Sequence, residues 1–274
     1  MMHIARRSGT LYPMVLKSKQ AVLQKVIFEL RYRHGYIYLD KCGRTINALT
    51  SRYPEWTPRD DAVSPQNAPL VSLQNRCVLN FSSKKLDLSL EMLPGGEPLS
   101  DSDLDAYADQ VEATSVLITE QLGLTDFERI GFRAWFLFAC ESAREATTWL
   151  MGLKAFSLSE QFHSAFAGDL DFVSVAVVFR GETNYRVALN QVERAARVEV
   201  GQEILNVQAS KLPKDQQRVF HEQLRVRKRL DQNPQFAALM DIDAFCDDPP
   251  LVAPREFIKK SMLEFTTKAA KMSK

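Results

Sequence analysis

The run at residues 127–139, Phe127-Glu128-Arg129-Ile130-Gly131-Phe132-Arg133-Ala134-Trp135-Phe136-Leu137-Phe138-Ala139, reads as a strongly β-forming strand. Its first half alternates, so Arg129, Gly131 and Arg133 share one face and Ile130 and Phe132 the other. Two other stretches repeat the pattern. In residues 22–33 (VLQKVIFELRYR), Val26, Phe28, Leu30 and Tyr32 alternate with Ile27, Glu29, Arg31 and Arg33. In residues 236–246 (FAALMDIDAFC), Asp241 and Asp243 share a face with Leu239 and Phe245, while Ile242 and Ala244 face the other way. The expectation is that the three strands belong to one sheet, with their ionic faces on one side and their apolar faces under helices.

Helices and hairpins fill the intervals. Leu39, Cys42, Ile46, Leu49 and Tyr53 are spaced for an amphipathic helix stopped by Pro54. Residues 54–69, rich in proline, read as a loop, and 70–79 and 86–92 as two strands turning at Ser82-Ser83-Lys84-Lys85. Ser100 or Ser102 caps a helix whose apolar face is Leu104, Tyr107, Val111, Ser115, Ile118 and Leu122, with Gly123 as its stop. Beyond 140, residues 141–153 suit a helix. Residues 172–179 and 185–192 form strands around the turn 180–184, and 198–207 read as a further strand. A closing helix over 255–271 buries Ile258, Met262, Phe265 and Ala269. Hairpins outnumber parallel crossovers, which argues for an α+β fold: a largely antiparallel sheet with helices on one face. Residues 1–19 read as a flexible arm, 20–140 as an N-terminal half and 141–274 as a related C-terminal half sharing one core.

The 274-residue chain is 45% apolar and 25% charged, ordinary for a globular protein, and its formal net charge of +1 gives no global pull toward nucleic acid or membranes. Cys42, Cys77, Cys140 and Cys246 are far apart and read as reduced thiols. No apolar run approaches the ~20 residues of a membrane span, and no apolar segment follows Arg6-Arg7, so a cytoplasmic protein with no membrane partner is expected.

Three segments, Val26-Ile27-Phe28-Glu29-Leu30-Arg31, Phe127 to Arg133, and Leu239-Met240-Asp241-Ile242-Asp243-Ala244-Phe245, occur in this order ahead of a helix ending in Phe265-Thr266-Thr267. Together they resemble a sporadically distributed bacterial family of uncharacterised proteins of about this length. Members of that family often carry a tyrosine and an asparagine after the middle segment; here Ala134-Trp135-Phe136 follows. The resemblance implies no activity, cofactor or catalytic residue. The patchy distribution is that of genes on mobile or phage-defence islands.

The candidate binding residues are Glu29, Arg31, Arg129, Arg133, Asp241 and Asp243. Arginine and carboxylate in this pattern can pair across strands and hold register, or hold an anion or a metal. The structural alternative is favoured, because ion-pair networks imitate functional sites. Gly131 leans toward the functional alternative, as the mark of a bulge or of a close approach by another chain or a ligand.

A second candidate is the basic segment Lys211, Lys214, Arg218, Arg225, Arg227, Lys228 and Arg229, read as a helix that could meet an acidic partner or phosphates; a solvated helix or ordered loop joining two strands is the favoured alternative. Asp241, Asp243, Asp247 and Asp248 lack the glycine and distal glutamate of a calcium loop. Glu29-Leu30-Arg31 has arginine where a nuclease site needs lysine. Pro94-Gly95-Gly96 is no phosphate loop, no serine sits in a nucleophile elbow, and His163 and His221 have no partner at useful spacing. No catalytic residue, metal site or cofactor is therefore assigned. The expected function is a non-enzymatic binding or regulatory subunit of a bacterial complex that associates with itself or another protein. The alternatives are a metal-dependent enzyme on nucleic acid or phosphates and a nucleic-acid binder acting through 211–229.

Overall fold

The computed structural model describes residues 14–17, 19–59, 63–64, 66–93, 96–166, 170–193, 207–231, 236–249 and 252–272. The elements in chain order are β1 (Val15–Leu16), β2 (Lys19–Gln20), β3 (Val22–Tyr32), α1 (Tyr38–Arg52), β4 (Thr57–Pro58), β5 (Ala68–Ser72), β6 (Cys77–Phe81), β7 (Lys85–Glu91), α2 (Asp101–Leu122) and β8 (Phe127–Cys140). They continue with α3 (Ala143–Gly152), α4 (Glu160–Ala165), β9 (Ser174–Phe179), β10 (Asn184–Glu193), α5 (Lys214–Asp231), β11 (Phe236–Asp247) and α6 (Pro254–Met272).

Among the described residues, nine strands form one sheet in the order β4-β5-β6-β7-β3-β8-β11-β10-β9, and every neighbouring pair is antiparallel. The three alternating runs are its central strands β3, β8 and β11. The seam between the expected halves is the β8–β11 pair, so the sheet runs through it unbroken. One apolar core spans both sides of that seam, from Met14 to Ala269. The fold is α+β with an antiparallel sheet.

The apolar stripes dictate which helix face is buried. In α2, Leu104, Tyr107, Val111, Ser115, Ile118 and Leu122 are all buried, each large apolar one contributing roughly 1.5–3 kcal/mol. Ser100 accepts the Asp103 N–H while the Asp103 carboxylate accepts the Ser100 N–H, a capping box. Gly123, at φ 65°, takes the left-handed turn that ends the helix. In α6, Ile258, Met262, Phe265 and Ala269 are buried, and Phe265 stacks on Phe132 of β8 with ring centroids 5.9 Å apart.

Tyr107 ties α2 to the sheet. Its hydroxyl accepts the Phe28 N–H at 2.8 Å and donates to the Leu88 carbonyl, two residues directly opposed across β3 and β7. Tyr107→Phe strands both backbone groups in the core. It is expected to lower unfolding free energy by about 1–3 kcal/mol in urea titration.

Several expectations are corrected. Residues 70–79 are a hairpin, not one strand: β5 and β6 are separated by a turn whose last residue, Arg76, has φ 55°. The run of apolar side chains hides the polar turn Gln74-Asn75-Arg76 within it. On α1 the buried residues are Tyr38, Thr45 and Leu49, with Cys42 and Ile46 half-buried, and Leu39 is exposed. The expected loop 54–69 contains β4, and α4, capped by Ser159, was not anticipated. Of the arm at 1–19, the described part is folded: β1 pairs with β2, and Met14 and Leu16 are buried. Most of the strand expected at 198–207 lies outside the described residues.

Candidate functional site

Adjacency of β3, β8 and β11 brings the predicted ionic residues together. Across β8 and β11, Arg133 is opposite Asp243 and Gly131 opposite Phe245. Across β3 and β8, Glu29 is opposite Gly131 and Arg31 opposite Arg129. All six predicted residues therefore face the same side of the sheet, away from the helices packed against Phe28, Phe132 and Ile242.

The side chains pair with one another. Arg133 donates through Nε to Oδ1 of Asp241 at 2.6 Å and through its terminal nitrogen to Oδ2. Arg186 of β10 donates to the same Oδ2 at 3.1 Å. Arg129 donates to Asp243 at 2.7 Å, and its Nε lies 3.7 Å from Glu29. Arg31 donates to Glu29 at 2.9 Å. Aromatic rings support the guanidinium groups from the side: Arg129 lies 4.0 Å from the Phe245 ring centroid and Arg133 5.4 Å from that of Trp135.

Gly131 sits at the centre. A Cβ there would lie 3.5 Å from Arg129 Nε and 3.7 Å from Asp243 Oδ1. The neighbour nearest this glycine is the chain's own Arg129, and the ladder keeps register through it, so the expected bulge is not formed. Arg33 lies outside the network, paired with Glu128 and Asp248.

Several participants escaped the sequence reading. Arg186 shares Asp241, and Lys85 and Asp87 of β7 pair with each other at 2.8 Å beside Glu29. Lys25 and Glu91, opposite each other on β3 and β7, form a buried pair at 2.5 Å. Each carries a period-two signal in sequence, but the strands opposite them are distant in the chain.

The electrostatics follow from burial. Burial holds the Asp243 carboxyl above the usual aspartate range, although Arg129 and Arg133 pull it down. Burial alone would lower the Arg133 pKa; its hydrogen bond to Asp241 and the nearby carboxylates raise it above the ordinary guanidinium value. Both are structural signatures, since each Asp241 oxygen already accepts from a guanidinium group. The acidic run disperses: Asp247 pairs with Arg180 and Asn184, and Asp248 with Arg33. Among the described residues, no group of three metal-ligating side chains is gathered.

The basic segment is helical, as α5. Leu212 and Phe220 anchor it on Val71, Leu73 and Val78. By register, Val71 and Val78 face the ionic side, so α5 sits on the side of the sheet opposite the other core helices. β6 lies two strands from β3, or ~10 Å. Lys214, Arg218, Arg225 and Lys228 are exposed at a spacing of four, seven and three residues, one stripe of the helix. Lys211 and Arg227 are half-buried, and the side chain of Arg229 lies outside the described residues. At the Arg31 and Lys85 end of the ionic face, a cleft of about 770 Å³ is lined by Arg33, His34 and Lys84 among others, with Glu128 as its acid.

No protein-family model matches the chain, and no curated protein matches it. Among the described residues no helix is long and apolar enough to cross a membrane.

Proposed function

We propose that this chain is a cytoplasmic, non-enzymatic binding subunit of a bacterial complex, and that its ionic sheet side and α5 receive an anionic protein surface. One observation carries the reading: the acids are sunk beneath three of the four arginines. The Asp241, Asp243 and Glu29 side chains are 4, 14 and 19% exposed, against 36, 39 and 45% for Arg133, Arg186 and Arg31; Arg129, at 17%, lies at the depth of the acids. A partner approaching this side therefore meets mainly guanidinium groups, already oriented by the carboxylates below them. The basic stripe of α5 and the cleft beside Arg31 add cations on the same side or at its rim. A link to a mobile or phage-defence locus rests on the resemblance alone.

Trp135 and Phe245 lie against guanidinium groups, which takes them out of use as base-stacking platforms and favours protein over single-stranded nucleic acid. The test compares the tagged wild-type chain with the variant K214E/R218E/R225E/K228E in pull-downs from the native cell. The expected result is an acidic protein that wild type retains, that salt between about 0.05 and about 0.5 M releases, and that the variant binds about tenfold more weakly or worse. Equal retention by both chains, or salt-insensitive retention, overturns the reading. Loss of all capture on nuclease treatment replaces the protein partner with nucleic acid.

A further inference from the structure

The two edges of the sheet are built differently. At one edge β4 is two residues long and contains Pro58, a blunt end that cannot template another strand. At the other edge β9 is six residues long and bare: Val177, Val178 and Phe179 are exposed, as are Ser174 and Ala176. From Phe172 to Phe179 there is no ionisable residue. Natural edges of this length usually carry a charge or a proline that blocks pairing. Among the described residues nothing pairs with the outer side of β9.

We infer that β9 pairs antiparallel with β9 of a second copy of this chain, joining two nine-stranded sheets across a two-fold axis. The register follows from the ladder. Gln191 donates to the Val173 carbonyl at 3.2 Å, and Ser174 is opposite Asn190. Backbone groups alternate in direction along an antiparallel strand, so Val173, Val175 and Val177 turn theirs toward β10. Ser174, Ala176 and Val178 turn theirs outward. A two-fold axis at Ala176 then sets Ala176 opposite itself, Ser174 opposite Val178, and Val175 opposite Val177, with no charge anywhere in the pair.

Charge at the ends of the run decides the occupant and its direction. The first ionisable residues flanking it are Asp171 and Arg180. Antiparallel pairing brings the Asp171 end of one copy to the Arg180 end of the other, whereas parallel pairing stacks like on like. A second copy therefore sets opposite charges at both ends with one sequence, as a closed isologous contact, while Arg180, 68% exposed, keeps its 3.4 Å contact with Asp247. The edge lies two strands from Asp241, with Ala176 and Val178 turned to the ionic side; the inference does not rest on the anionic partner.

The test is the mass of the full chain in solution by light scattering over a dilution series. Wild type is expected at twice its 31.1 kDa. A176E and A176K each place like charges on the axis, and each alone is expected to fall to the mass of one chain. Mixed, the two are expected to regain the double mass, because glutamate then faces lysine. Recovery on mixing also establishes that both variants are folded. A wild-type mass of one chain at every concentration overturns the inference. So does an unchanged double mass for either variant alone, or failure of the mixture to pair.

Discussion

Asp241→Ala is expected to lower unfolding free energy by about 2–3 kcal/mol, measured as a lower urea midpoint with an unchanged slope. Asp241 is the most deeply sunk of the three predicted acids and the shared acceptor of Arg133 and Arg186. Removing it leaves two guanidinium groups packed together without their counter-charge. Breaking a fully buried pair costs about 3–5 kcal/mol, but both arginines are more than a third exposed and partly rehydrate, which moves the cost down. Arg133→Ala in the Asp241→Ala background should then recover part of the loss, because the repulsion disappears with one of the arginines. A double-mutant cycle reads that coupling at roughly 1–3 kcal/mol. A single-variant loss within ~0.5 kcal/mol of zero would mean that the network lies on the sheet without holding it.

Phe132→Ala is expected to cost more, about 3–5 kcal/mol, by the same titration. Phe132 is fully buried at the middle of β8, opposite Phe28 in the ladder and stacked on Phe265 of α6. Alanine leaves a cavity bounded by a sheet and a helix that are both held from other sides, so collapse into the space is limited. Its strand neighbours Gly131 and Arg133 point to the opposite side. Capture of an anionic partner at temperatures where the variant remains folded should therefore be unchanged. A cost under ~1 kcal/mol would show that α6 closes the gap.

Asp243 carries a different lesson about the same face. Burial raises its folded-state proton affinity above that of the unfolded chain. Its contribution to stability is therefore unfavourable above the folded-state pKa, and it is relieved as pH falls toward the ordinary carboxylate range. Arg129 limits that penalty without removing it.

Much of the architecture was written into local patterns. The period-two alternation at 26–32 and 127–133, and the acid spacing at 241–243, marked three strands and the side each would turn to solvent. The spacing of Ile258, Met262, Phe265 and Ala269 marked the buried side of α6. Misreadings came where a local rule was silent. The turn ending at Arg76 lies inside an otherwise apolar stretch, and its left-handed residue is not a glycine. Leu39 fits a helical stripe but falls on the outer side once Tyr38 takes the core position.

The candidate site divides in the same way. The sequence alone determined which residues have charge on one face of a strand, because side-chain direction alternates with each residue whatever the fold. Only the tertiary structure decided which charges meet. Asp241 lies 108 residues from Arg133 and 55 from Arg186, and those contacts depend on strand order and register, which are set by how the whole apolar face packs beneath the helices. Among the described residues, the same packing seats α5 on the ionic side and leaves β9 at the edge of the sheet. Neither is visible in a strand or helix taken alone, since an edge is defined by the strand that is not there.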